Sequence, residues 1–281
     1  MLTDVPGVKV GHWTDPVAQT GCTAIVLPKS TVMSGEVRGG APGTRDFPSL
    51  DPTRTIQHVD VVMLSGGSAF GLATCDGAMR WCEEHRRGLK LPRGGRVPIV
   101  VGMIIFDLAV GSAKVRPTAE EGYAACAAAR RGRFATGRVG AGTGATIGKV
   151  GGNRTNRRPG GLGTATVRRG DLVVSALMVA NGVGYLRDGS APPSELDLPQ
   201  SAIENTTIGL VATNAALDKT GCFLVSLSAH DGIARAVDPA HTRADGDAIA
   251  AAATGHVLAD TELVRMLAAH AVEQAIRNAV G

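Results

Sequence analysis

Apolar residues in this chain fall into short runs separated by glycine, and one long stripe of helical period stands near the C-terminus. Val8-Lys9-Val10-Gly11-His12 reads as a short strand and turn, and residues 23–27 as a second strand. Residues 59–64 are apolar but for Asp60, as expected of a central strand buried on both faces. That run leads into Ser65-Gly66-Gly67-Ser68-Ala69-Phe70-Gly71. Here Ser68 is expected to cap a helix reaching Arg87, with Gly88 just past its end. The longest apolar run, 98–106, stops at Asp107; it is shorter than the ~20 residues a bilayer demands and reads as a buried strand. Thr118 is placed to cap a second helix ending at Arg131, with Glu120 and Glu121 in the first turn and Gly132 as the stop. Residues 170–180 read as a strand closing at Asn181-Gly182-Val183-Gly184, and 206–213 as another β-rich run. Residues 218–236 fit strand and helix equally. Residues 262–280 are an amphipathic helix with Leu263, Met266, Leu267, Val272 and Ile276 on or near one face. There is no internal repeat, and the segments suggest large sheets covered by helices.

The polar stretches between these elements carry most of the candidate chemistry. Residues 37–45 form a glycine–proline loop with Arg38 and Arg45, read either as a surface turn or as the border of a pocket. A strand–glycine–helix joint such as Gly66, Gly67 and Ser68 can aim backbone N–H groups at an anion or oxyanion; a tight turn that needs glycine for space explains it equally. The run 140–149 imitates a phosphate loop but fails its template. Thr143 stands where glycine is required, and Val150 where a hydroxyl should bind magnesium. That leaves Lys149 as a solvated lysine or as a cation aimed into a site. Residues 153–159 are basic and polar, as in an exposed loop, and residues 188–201 are the one linker-like stretch. Asn181 either caps a turn or offers its amide to a developing oxyanion. His241 with Asp245 and Asp247 is weak as a metal site, since no second histidine lies nearby in sequence.

Composition narrows the function. At 281 residues the chain is one large domain or two small ones, long enough for a real core. With aromatics at 3% and 38 glycines, that core is aliphatic and closely packed. The net charge of +4 is mild, and without aromatic platforms or a basic stripe nucleic-acid binding is disfavoured. Five cysteines without C-x-x-C spacing suggest reduced thiols and a cytoplasmic protein. Residues 1–11 contain Asp4 and no apolar core, so no signal peptide is expected, and no membrane partner either.

One stretch organises the rest. In Asn205-Thr206-Thr207-Ile208-Gly209, a threonine that opens a strand holds its hydroxyl beside the preceding carbonyl. Attack on that peptide bond would make Thr206 a new N-terminus, joining a nucleophile to a base on one residue. An α-amine titrates at about 7.7 to 8.0 and is substantially neutral near there, so it can take the hydroxyl proton. Taken alone, the pair is more often just a turn and a strand, and Asn205-Thr206-Thr207 is also a glycosylation sequon.

Further motifs occur with it, in order: Val10-Gly11-His12, Thr20-Gly21-Cys22-Thr23, Arg38-Gly39-Gly40-Ala41-Pro42-Gly43-Thr44-Arg45, Leu64-Ser65-Gly66-Gly67-Ser68, Gly148-Lys149 and Asp245-Gly246-Asp247. Together they resemble the self-processing L-aminopeptidase/D-esterase family, which includes β-peptidyl aminopeptidases and nylon-oligomer endohydrolases. The resemblance covers nearly the whole chain. It implies a four-layer α/β/β/α sandwich of the N-terminal-nucleophile type, a cofactor-free and metal-free amide hydrolase acting on small peptides or amides, and a homo-oligomer, often a tetramer of cut pairs. It implies one domain, 1–281, cut into 1–205 and 206–281. By the resemblance Thr206 matches the nucleophile, Asn205 the residue left behind, Lys149 the catalytic lysine and Asn181 the oxyanion asparagine. Asp245 and Asp247 match the acidic pair that orients the amine and the nucleophile, and Gly66, Gly67, Ser68 and Phe106 fall in a substrate or oxyanion region. Phe106 stands where some members carry tyrosine, and the segments before Thr206 and after Asn214 are trimmed. Two rivals remain at this point: an ornithine-acetyltransferase-like acyl transfer with the same threonine, and an uncut assembly protein without catalysis.

Overall fold

The computed structural model describes residues 1–150, 157–187 and 204–280. The linker-like stretch 188–201 and residues 153–156 of the basic loop fall outside the described residues.

Ten strands matter to the architecture: β1 (Lys9–Asp15), β2 (Thr20–Val26), β3 (Val32–Val37), β4 (Thr44–Arg45), β5 (Val61–Ser65), β6 (Val100–Ile104), β7 (Gly161–Arg169), β8 (Leu172–Ala180), β9 (Ile208–Ala215) and β10 (Ala248–Val257). Four helices accompany them: α1 (Thr74–Glu84), α2 (Ala119–Ala127), α3 (Lys219–Ala236) and α4 (Thr261–Val280). One five-stranded sheet runs β1-β2-β5-β6-β4 and the other β7-β8-β9-β10-β3. Each has a single parallel pair, β5 with β6 and β9 with β10, and is otherwise antiparallel. Each parallel pair is joined through a helix, α1 in the first sheet and α3 in the second, because parallel neighbours require a crossover.

The packing explains the continuous apolar strands. On β5, Val62 and Leu64 point between the sheets, meeting Leu210, Ala212, Ala250 and Ala252 of the second sheet. Val61 and Met63 point the other way, onto Cys75 and Ala78 of α1 and Ala125 of α2. On the far side Val211 and Ile249 meet Val225 and Ile233 of α3 and Val272 of α4. A strand sandwiched between a sheet and a helix layer has no face for water, so period-2 alternation vanishes from its sequence. The order is therefore helices, sheet, sheet, helices, the expected four layers. All five cysteines are free and buried in these layers.

Several expectations need correction. The joint after β5 first makes a 3-10 turn, Ser68–Ala73, and α1 begins only at Thr74 and ends at Glu84. Ser68 makes no capping bond; it lies in the left-handed region (φ +54°) with its N–H on Ile105 O. Thr118 does cap α2 with Glu121 in a reciprocal box, but the helix ends at Ala127 rather than Arg131. The segment 218–236 resolves as a helix, α3, capped by Asp218 accepting from the Gly221 N–H at 2.7 Å. Of the stripe read for α4, Leu267, Val272 and Ile276 are buried, whereas Met266 is 70% exposed. Thr206 lies two residues before β9 rather than opening it.

Candidate active site

The two central strands of the second sheet explain why a dispersed set of residues meets. Ile208 pairs with Ala248 in parallel, and Asn205 with Asp245, the same offset of 40 residues (248−208 and 245−205). Carried back along that register, Asn205-Thr206-Thr207 lies beside Asp245-Gly246-Asp247. The Arg38–Pro42 loop then closes over the second of these, with Arg38 and Gly39 N–H groups on Asp247 O and Ala41 N–H on Asp245 O. It thus borders this cluster, with its backbone donors spent on the two aspartate carbonyls. Its arginine Arg38 is held by Glu36 and Asp231.

At the centre, the Thr206 hydroxyl donates to the carbonyl oxygen of Asn205 in a very short contact. The same oxygen accepts the Gly246 backbone N–H at 2.9 Å. The carbonyl before Thr206 is thus polarised by one donor and touched by the hydroxyl that would attack its carbon. The Thr206 N–H donates to Asn181 O at 3.0 Å. Asn205, Thr206, Asn181, Asp245 and Asp247 are all at most 3% exposed.

Lys149 reaches this bond from the loop after residue 147. Its ammonium donates to Asn181 O at 3.0 Å, Asn181 Oδ1 at 3.3 Å and Glu204 O at 3.3 Å, three acceptors for three hydrogens. No carboxylate lies within ion-pairing distance among the described residues. Burial first, and then the nearby Arg157 charge, push its pKa down to about 7, against weaker opposing pulls from Asp245 and Glu204.

The acidic pair does less with the nucleophile than the resemblance implies. Asp245 accepts the Val183 N–H at 2.9 Å, the Thr242 N–H at 3.0 Å and the Thr242 hydroxyl at 2.5 Å. Asp247 accepts the Thr207 N–H at 2.7 Å through one oxygen, and the His241 N–H at 3.1 Å and ring Nδ1 at 2.8 Å through the other. So Asp247 fixes the backbone just after Thr206, Asp245 fixes Val183 and Thr242, and the Thr206 nitrogen lies on Asn181 O instead. Burial, followed by the charge of Asp247, pushes Asp245 up to about 6.

Asn181 is present but differently employed. Its side-chain oxygen accepts from the Thr146 N–H and Lys149, while its Nδ2 meets Phe106 O at 3.4 Å. Phe106 thus touches the site through its backbone carbonyl. The glycine joint is not an open cradle: the Gly66 N–H lies on Gly21 O, Gly67 on Asp107 Oδ1 and Ser68 on Ile105 O. With all three donors engaged inside the chain, that turn has none to offer an oxyanion. A cavity of about 530 Å³ lined by Lys29, His58, Arg86 and Lys90 among others lies elsewhere and includes no residue of this cluster. Among the described residues no group of three or more His, Cys, Asp or Glu side chains is arranged to hold a metal ion.

Sequence reasoning missed the Gly246 N–H. Its only trace is a glycine between two acids, and an added Cβ there would meet Ala41 O at 2.5 Å and Thr206 Oγ1 at 2.8 Å.

Comparison with known proteins adds a second line of support. The profile of peptidase family S58 matches residues 1–281. An uncharacterized aminopeptidase of Mycobacterium leprae is 43% identical, over 91% of this chain and 79% of its own. A 6-aminohexanoate-oligomer endohydrolase of a Kocuria species is 30% identical, over 90% of this chain and 75% of its own. Among solved structures, the L-aminopeptidase D-Ala-esterase/amidase of Ochrobactrum anthropi, described as a variant of the Ntn hydrolase fold, superposes with a TM-score of 0.75. That match covers 99% of this chain and 85% of the other at 20% identity.

Proposed function

The chain belongs to peptidase family S58, and on that premise we propose that it is a self-cutting amide hydrolase whose nucleophile is Thr206. Amide hydrolysis follows from the family and its hydrolase relatives. The threonine and the cut are our reading, and one observation carries them: the Asn205 carbonyl oxygen holds both the Thr206 hydroxyl and the Gly246 N–H.

In the first phase Thr206 Oγ attacks the carbonyl carbon of Asn205. Negative charge gathers on the oxygen already bonded to Gly246 N–H, and the oxyanion is stabilised where it forms. The Asn205–Thr206 C–N bond breaks, the nitrogen takes the proton given up by Oγ, and an ester joins Asn205 to Thr206 Oγ. Water hydrolyses that ester, leaving residues 1–205 with a new carboxylate and residues 206–281 with a free amine. In the second phase the same hydroxyl attacks a substrate amide with that amine as base. The substrate's amine leaves, and water releases the acyl group. Lys149, buried beside Asn181 and Glu204, supplies positive charge near the reacting carbonyls. Asn181 holds Lys149 and the Thr206 nitrogen in place.

Small α-peptides, β-peptides and ω-amino-acid amides are the substrate class, and a homo-oligomer, a tetramer of cut pairs, is the assembly. Intact mass under denaturing conditions tests the core of this reading. Two pieces, 1–205 and 206–281, are expected from the wild type and one whole chain from Thr206→Ala; an uncut wild type after long incubation overturns it. A panel of amino-acid p-nitroanilides, β-alanyl amides and aminohexanoate oligomers then assigns the substrate.

A further inference from the structure

Asp245 and Asp247 are each 1% exposed and stand on either side of one glycine. Two buried carboxylates so close repel, and a single removed partner leaves charge uncompensated. Among the described residues, neither has a lysine or arginine within ion-pairing distance. Their one cationic contact among the described residues is His241, whose Nδ1 lies 2.8 Å from Asp247 Oδ2.

The ring's surroundings fix its charge by geometry. Nδ1 faces a carboxylate, and Nε2 faces the His230 carbonyl oxygen at 3.3 Å. A carbonyl oxygen and an ionised carboxylate only accept, so beside an ionised Asp247 both ring nitrogens donate, which is the imidazolium form. The other groups around it fit. His230 of α3 meets the ring edge-on at 4.9 Å, with its Nε2 on Glu36 O and its Nδ1 unpartnered. That ring is neutral, and burial drives its pKa down to about 4. Arg38, at the end of β3, is matched by Glu36 and by Asp231 of α3. Burial lowers the pKa of His241 itself, but the hydrogen bond and charge of Asp247 outweigh it and leave it above the usual value. The residue also sits at φ +56°, a conformation its surroundings must impose.

We propose that His241 is a positioning residue of this site: as an imidazolium it clamps Asp247 against the Thr207 N–H, balances one of the two buried carboxylates, and so sets how basic the freed Thr206 amine is. This rests on the Thr206 reading given above. With two uncompensated anions nearby the ammonium would be held too tightly to act as a base near neutral pH. With the imidazolium present, the anionic charge of the aspartate pair falls from two to one, and the Lys149 ammonium, which shares the Asn181 carbonyl with the Thr206 nitrogen, acts beside it in both cases.

The test is the pH profile of kcat/KM for the cut enzyme on an amino-acid p-nitroanilide, comparing wild type, His241→Asn and His241→Gln. Both variants can keep a neutral donor to Asp247. The ascending limb, which reports the free-enzyme base, is expected to move up by about one pH unit in each, with the high-pH plateau within a few-fold of wild type. An unmoved limb, whether the rate drops uniformly or not at all, overturns the proposal. Nitrogen-15 NMR of histidine-labelled wild type gives a second reading that needs no variant to be active. Two protonated nitrogens at pH 7 are expected for His241, and a neutral tautomer overturns it. The ring state is readable on whole or cut chains, so failure of self-cleavage, seen by mass, is distinguishable from failure of this inference.

Discussion

Two glycine-bearing turns in this protein each aim backbone N–H groups near the end of a central strand, and they do opposite things. The turn after β5 presents Gly66, Gly67 and Ser68, and every one of those donors is matched inside the chain, one of them by the buried carboxylate of Asp107. The turn before β10 presents Gly246, whose N–H meets the carbonyl of the bond before Thr206. Glycine-rich geometry is the same device in both; what stands opposite decides whether it is structural or chemical. The buried charges differ in the same way. Asp107 also accepts the Thr20 hydroxyl at 2.7 Å, a local hydrogen-bonding role, whereas Lys149 is an ammonium held by the carbonyls of Asn181 and Glu204 beside Thr206.

Substitutions can break this contrast, the largest effect coming first. Thr206→Ala removes the attacking oxygen, and complete loss of the 1–205 and 206–281 pieces is expected by intact mass. Gly246→Ala places a Cβ against Ala41 O and Thr206 Oγ1 and pushes the donor off the Asn205 oxygen. Self-cleavage followed by gel densitometry should slow roughly 10²- to 10³-fold, the loss typical of one oxyanion donor. The matching change at the other turn, Gly66→Ala, meets Asp107 Oδ2 at 2.0 Å and should lower the melting temperature instead, with cutting in the folded fraction close to wild type. If both variants lost only stability, the assignment of chemistry to one turn would fail.

Asp107→Ala strands the Gly67 N–H and the Thr20 hydroxyl without their acceptor. A loss of about 1–3 kcal/mol in denaturant unfolding is expected. A separate test is the pH response of Lys149. Its folded pKa of about 7 lies below the ordinary lysine value of 10.5, so the unfolded chain binds more protons between those values. Its contribution therefore rises with pH from about 7 toward 10.5 and is unfavourable below. Lys149→Met in the Thr206→Ala background, which holds the chain whole, should flatten that rise in chemical denaturation. A wild-type slope would show that the lysine is not the titrating group.

Much of the architecture could be read in advance, and the failures share a cause. β5 and β6 were legible because four to six consecutive apolar residues bury both faces, and α2 because its capping box is local. β3, β7 and β10 drew no strand reading. In β10 the run Ala248-Ile249-Ala250-Ala251-Ala252-Ala253 has a helix former's composition, yet it is paired on both edges by β9 and β3 and pressed between layers where small side chains fit. The site was legible in part. Thr206, Lys149 and Asn181 do converge, whereas the cradle that was one of two readings at Gly66 and Gly67 is closed by Gly21 O and Asp107.

The sequence by itself determined which chemical groups the chain carries: a threonine after Asn205, a lysine in a glycine loop, two acids around a glycine, and apolar runs that must be sandwiched. Only the tertiary structure decided that Gly246 rather than Gly67 faces the carbonyl before Thr206, and that His241 stands behind Asp247. The reason is that composition and period are local, whereas partnership across the 40-residue register of two parallel strands depends on how the whole sheet pairs.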